Sequence, residues 1–220
     1  MKPVRIRAYL LDGRIAASNK RISLDGLLYS LVIRRDYPEL AYTPIVNTSE
    51  IIEADLPLKK IEDDETWYWA CSLNQAEPIK EYTLYWHKRF DDNYEQYIDF
   101  KGKRGKVDDK RGVFKAYRMP LNILLMPYLE WFVVGDMEEL YSLLKNVVAL
   151  GKKTSQGLGL VKEWEVTEWD EDWSVLGPGN RLMRPVLTLP QNAKNARRAI
   201  AGIRPPYWYR GNIVEAWMPL

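Results

Sequence analysis

Nine residues, Gly151-Lys152-Lys153-Thr154-Ser155-Gln156-Gly157-Leu158-Gly159, part a stretch with helical spacing of apolar residues from one with strand character, and they limit what the chain can build there. The three glycines admit positive φ and close backbone approach, so the segment can turn sharply and present bare amides. Two lysines and the polar Thr154, Ser155 and Gln156 add charge and donors suited to a phosphate chain. A Walker A loop would continue from its second glycine into Lys and Ser/Thr, whereas Gly157 is followed by Leu158 and the loop follows a helix instead of opening one, which disfavours nucleotide hydrolysis of that type. Two readings remain: a helix C-cap at Gly151 with a plain surface turn, or a grip on a polyanion.

The flanking periodicities set the architecture. Val4, Ile6, Ala8 and Leu10 alternate with Arg5, Arg7 and Tyr9, predicting a strand over about 3–11. Ser23 as N-cap and Leu24, Leu27, Leu28, Leu31 and Val32 predict a helix over about 24–35. Beyond Tyr37-Pro38 the chain turns acidic and irregular, with Ile51, Ile52 and Ala54 as a short strand. Two aromatic runs, Thr66 to Leu73 and Glu81 to Phe90, read as adjacent antiparallel strands. Val113 to Leu121 and Leu129 to Gly135 follow as strands; Asp136 then caps a helix whose stripe is Leu140, Leu143, Leu144, Val147 and Val148, and Leu158 to Trp169 alternates as a last strand. Without the insertions the order is strand, helix, strand, strand, helix, strand. That predicts an α+β, ferredoxin-like βαββαβ fold, four antiparallel strands carrying two helices on one face. One domain is expected over 1–220, with its core at about 3–169, a basic insertion at about 101–112 and a C-terminal extension at about 170–220. A second, degenerate half within 170–220 is the alternative.

A net charge of +2 conceals segregation. Residues 1–35 carry eight Lys/Arg against two acids and residues 101–118 eight against two, while residues 36–78 hold ten acids against Lys59 and Lys60, and residues 181–210 hold seven basic residues and no acid. Basic blocks remote in sequence can meet on one face, as in nucleic-acid binders, although such blocks also serve as plain solvated surface. Cys71 and His87 each occur once, which rules out an internal disulfide and a Cys/His structural zinc site; no metal or cofactor is expected. No run of eighteen apolar residues occurs, and Met1-Lys2-Pro3-Val4-Arg5 lacks a signal peptide's apolar block, so a cytoplasmic location without membrane contact is expected.

The loop from Gly151 to Val161, following a helix and opening a strand, resembles the glycine-rich loop of the RAMP superfamily of CRISPR-associated proteins. Ile22-Ser23-Leu24-Asp25-Gly26-Leu27-Leu28 is similar to the opening of their first helix, and Leu182-Met183-Arg184-Pro185-Val186 with Arg204-Pro205-Pro206-Tyr207-Trp208 resembles the C-terminal segment of the Cas-five-type small subunit of type IV systems. The resemblance implies a ferredoxin-like RAMP fold and a non-catalytic subunit of a type IV effector that caps the 5′ handle of the crRNA in defence against viruses and plasmids. It implies contacts with a Cas-seven-type backbone and a large subunit, and with target DNA only through the complex.

On that reading Gly151, Lys152, Lys153, Thr154, Ser155, Gln156, Gly157 and Gly159 meet RNA, the glycine amides facing phosphate oxygens and the side chains reaching phosphate, 2′-OH or base edges. Lys103, Arg104, Lys106 and Arg111 belong to a thumb-like element pressed on the handle, and Arg21 and Arg184 are further RNA contacts, with Arg5, Arg7 and Lys20 behind them. Trp67, Trp69, Tyr85 and Trp131 are expected in the core, and Tyr207, Trp208 and Tyr209 at the surface as a subunit contact. The rival reading is a metal-independent endoribonuclease processing CRISPR repeat RNA, for which His87 is the candidate acid-base group. An RNA-binding domain unrelated to CRISPR is the third.

Overall fold

A computed structural model describes residues 1–40, 51–63, 66–100 and 106–220. In chain order its principal elements are β1 (Lys2–Leu10), β2 (Arg14–Ala16), α1 (Leu24–Asp36), β3 (Lys60–Asp63), β4 (Thr66–Trp69), β5 (Lys80–Lys88), β6 (Tyr117–Leu125), β7 (Tyr128–Gly135), α2 (Met137–Leu144), β8 (Val161–Glu168), β9 (Leu176–Gly177), β10 (Arg181–Leu182), β11 (Ala196–Gly202) and β12 (Ile213–Pro219). Among the described residues the protein is α+β, built from small antiparallel sheets and two α-helices.

β1 lies at the centre because it alternates cleanly. Val4, Ile6, Ala8 and Leu10 are buried, and β1 pairs antiparallel with β7 on one side and β8 on the other. Beyond β7 runs the segment after β4: Ser72 N–H donates to Phe132 O at 2.9 Å, Val134 N–H to Ala70 O at 3.0 Å and Gln75 N–H to Glu130 O at 2.8 Å, around an antiparallel bridge between Cys71 and Val133. The spatial order is therefore 161–168, 2–10, 128–135, 70–75. Leu24, Leu28 and Val32 of α1 and Leu140 and Leu144 of α2 share one cluster with Val4, Ile6, Trp131 and Val133, so both helices cover the same sheet face.

The helices end for local reasons. α1 stops before Pro38, whose ring disfavours helical backbone in the residue ahead of it. Ser23 stands at its N-cap without a side-chain capping bond, whereas the Asp136 carboxylate caps α2 by accepting from Glu139 N–H at 3.0 Å. α2 is shorter than its apolar stripe predicts. Residues 148–150 extend instead to pair with 159–161, through Val161 N–H to Val148 O and Leu150 N–H to Gly159 O, which leaves Val148 exposed.

Further expectations require correction. Ile51, Ile52 and Ala54 form no strand, and Val113 and Phe114 lie in a short 3-10 turn ahead of β6. The two aromatic runs are not neighbours: β4 pairs with β3, while β5 pairs with β6 in nine-residue register from Lys80↔Leu125 to Lys88↔Tyr117. Asn74 separates them by donating to Lys20 O and Ala76 O and accepting from Glu130 N–H, which turns the chain off the sheet. β2, β6 and β5 thus form a second sheet, an arm with residues 89–100 and 106–116 at its tip.

The C-terminal extension folds as the β9–β10 and β11–β12 hairpins. Arg184 fastens it down. The Arg184 side chain is 1% exposed, and it donates to the carbonyls of Trp69, Cys71, Pro185 and Ile203, lies 4.4 Å over the Tyr68 ring and stands 3.9 Å from the Asp25 carboxylate. The expectation that Arg184 contacts RNA is therefore corrected: a guanidinium buried beside Asp25, with four of its five N–H donors on carbonyls, is closed off from an RNA phosphate. Tyr207 is likewise turned inward, its hydroxyl donating to Asp25 at 2.8 Å, and of its aromatic group Trp208 is the most exposed.

Candidate nucleic-acid interface

Inside the loop the glycines and the polar residues do different work. Gly151 has φ +84°, and a Cβ there would stand 2.6 Å from Ala16 O. A Cβ on Gly159, at φ +69°, would stand within van der Waals overlap of Leu150 O. Gly151 lets the hairpin lie against β2 and Gly159 lets it close on its own base, while Lys152 N–H donates to Ala16 O and Gly159 N–H to Arg14 O, each at 2.7 Å. Gly157 N–H donates to Thr154 O at 3.0 Å. The expectation that these glycine amides face phosphate is thus corrected for Gly157 and Gly159, whose N–H groups are already satisfied by the fold.

What the loop presents is Lys152 to Gln156. Residues Thr154–Gln156 form one 3-10 turn, entered through Lys153 at φ 57° and left through Gly157 at φ 80°. A left-handed lysine is uncommon, and here the conformation carries its side chain onto the arm. The Lys153 ammonium sits 3.5 Å from the centroid of the Trp86 ring. Lys152 reaches the other way and donates to Ser18 Oγ at 2.7 Å, while Ser155 and Gln156 are exposed.

Strand alternation supplies the arm's half of the surface. Residues opposite one another in antiparallel register share a face, so Tyr82, Leu84, Trp86 and Lys88 line up with Ile123, Leu121, Met119 and Tyr117. The base of this face packs on the loop, Ala16, Ile123 and Leu158 forming a small buried cluster with Tyr82 and Leu121 against it. Further out, Leu84 and Met119 are exposed, Trp86 lies 5.1 Å from Tyr117, and the Lys88 ammonium lies 5.8 Å over the Tyr117 ring. The other face carries Tyr85, exposed against expectation, with the Arg118 guanidinium stacked on it at 3.7 Å, and His87 opposite Arg118 in register.

The remaining expected residues divide by position. Lys106 and Arg111 are exposed at the arm's tip; Lys103 and Arg104 lie outside the described residues. Arg21 is half-buried away from the loop and donates to Leu220 O. Arg5 and Arg7 lie on the sheet face opposite the helices, where Glu165 and Glu130 each hold one at 2.5 Å, so that face is an ion-pair ladder with little net charge. Tyr9 and Arg5 together hold the Glu165 carboxyl below the usual carboxylate range, the tyrosine hydrogen bond contributing most. Among the described residues no three His, Cys, Asp or Glu side chains gather as a metal would require, and no helix is long and apolar enough to cross a membrane.

Sequence reasoning did not single out Trp86 or Arg118. Their period-two placement in aromatic strands was visible, but the approach of Lys153, 67 positions away, was not. Comparison with known proteins adds one finding: the family model for the CRISPR type IV associated protein Csf3 matches residues 2–219. No curated protein matches.

Proposed function

We propose, for a chain that belongs to the type IV CRISPR-associated Csf3 family, a family of Cas-five-like RAMP proteins, that it holds the 5′ handle of the crRNA in the effector complex. Membership points to a role in such a complex; the geometry supports the finer reading. The carrying observation is the Lys153 ammonium over Trp86, which joins the glycine-rich loop and the arm into one cationic and aromatic surface. Single-stranded RNA is bound by such a pairing, because charge tracks its backbone while aromatic faces accept its bases without regard to sequence.

The fold supports the same reading. A sheet ordered 161–168, 2–10, 128–135, 70–75, with α1 and α2 on one face, is the strand order of a ferredoxin-like βαββαβ unit, the fold expected of a RAMP protein. We read the arm as the thumb-like insertion. We assign the role of holding, not cutting. His87 lies on the face of the arm turned away from Lys153 and Trp86, so RNA gripped by the loop does not meet it. A Cas-seven-type backbone and a large subunit are the proposed neighbours, in the cytoplasm.

The test is a competition between a guide RNA carrying its repeat-derived handle at the 5′ end and the same RNA with the handle moved to the 3′ end. Preferential binding of the first without strand scission is the expected result. Equal binding contradicts handle capping, and metal-independent cleavage lost in His87→Ala establishes the nuclease instead.

A further inference from the structure

A second group of cations gathers away from the loop. Lys20 and Arg21 lie between β2 and α1, Arg181 opens β10, and Lys194 and Arg197 come from the approach to β11 and its start. The backbone brings them together: Arg181 and Lys194 form a parallel bridge, Leu182 N–H donates to Lys194 O, and Leu220 N–H donates to Asn195 O while Leu220 O accepts from Arg21. Lys20, Arg21, Arg181, Asn74, Gln75 and Glu77 line one cleft.

Glu77 is the single acidic side chain of that lining, and Lys20 already occupies it, while Arg21 donates to Leu220 O and Arg181 to Gln75 Oε1. Burial first, and then repulsion from Arg181 and Arg197 set against attraction from Glu77, hold the Arg21 guanidinium below its ordinary range. Arginine does not discharge to relieve such repulsion, so the cations remain an unbalanced positive field that an anion would neutralise. Arginines present planar forks of donors matched to phosphate oxygens.

The cleft is also tied to the loop. Lys152 bonds to Ser18, and from Ser18 to Arg21 the chain can span at most about 10 Å. We propose that this cleft binds a backbone phosphate of the same RNA strand that the loop holds, with Arg21 and Arg181 from its lining, and Arg197 beside it opposite Met218, as a second anchor further along it. The inference rests on the RNA-holding reading of the loop.

Salt titration of labelled guide RNA on the full chain tests it. Arg181→Gln with Arg197→Gln, both exposed side chains, should weaken binding severalfold or more and lower the salt slope by about 0.7, the share of one phosphate contact on a single strand. Arg198→Gln is the control, since Arg198 on the same strand faces Glu215 at 3.2 Å, and it should leave the slope unchanged. A wild-type slope in the double variant, or an equal loss in Arg198→Gln, overturns the anchor; the former is also the outcome if the cleft serves an acidic protein segment. Lys152→Ala with Lys153→Ala, read in parallel, separates the two readings. A slope lowered only by the loop variant leaves the loop and removes the anchor, and one lowered only by the arginine variant does the reverse.

Discussion

At the residue scale, two basic side chains with the same formal charge have opposite fates, and each fate can be tested. Lys153 is held left-handed to reach Trp86, while Arg184 is sunk among carbonyls. Replacing Lys153 by glycine relieves the backbone strain as it removes a contact worth about 0.5–1 kcal/mol, so stability should stay within about 1 kcal/mol while RNA affinity falls. A denaturation curve beside a binding isotherm checks both parts, and unaltered affinity would remove Lys153 from the interface. Arg184→Ala leaves several buried carbonyls without their donor and takes the nearby cation from the Asp25 carboxylate, which keeps only its Tyr207 and Gly26 hydrogen bonds, with an expected cost of about 3–5 kcal/mol. A loss below ~1 kcal/mol in urea unfolding would contradict its role as the fastener. Glu165 gives a pH signature: its folded pKa is depressed, so its contribution is present above the ordinary carboxylate range and is lost as pH falls through the folded value. Glu165→Gln should flatten that acid limb, and an unchanged pH profile of stability would count against the Tyr9 and Arg5 contacts as its source. Sequence named Lys153 and Arg184 alike as RNA contacts and passed over Glu165, because carbonyls, rings and partners remote in the chain decide whether a charge is surface or structure.

At the scale of elements, the sequence announced what depended on period and hid what depended on pairing. β1 and α1 were legible from spacing of two or about four, β5 and β7 from their runs of aromatic and branched residues, and Asp136 from its place ahead of an apolar stripe. The end of α2 was not, since Val147 and Val148 keep helical spacing while the backbone pairing of 148–150 with 159–161 sets the chain straight. The partnership of the aromatic runs was equally hidden, being determined by the turn at Asn74. In the loop the glycines were legible as a group but not by role. Gly159→Ala forces a methyl into Leu150 O and should destabilise by several kcal/mol, whereas Gly157→Ala meets nothing within 4 Å and costs only the left-handed penalty of about 1–2 kcal/mol. Thermal unfolding of the two variants checks the order, and equal losses would mean that Gly159 is not the close approach of the hairpin to its own base.

At the scale of the whole molecule, charge blocks distant in sequence do meet, but selectively. The basic N-terminal block divides between an ion-paired sheet face at Arg5 and Arg7 and a cleft at Lys20 and Arg21, and the basic C-terminal block divides between the buried Arg184 and the exposed arginines of β10 and β11. Only part of the positive charge therefore remains exposed and unpaired, which is why a block count over-read Arg184 and did not single out Arg197. The central claim is that the loop from Lys152 to Gln156 and the arm around Trp86 form one grip on the guide's backbone. The salt dependence of guide-RNA binding by Lys152→Ala with Lys153→Ala tests it most directly: the account predicts weaker binding and a slope lower by about 1.4 than the parent's, and a slope equal to the parent's would contradict it.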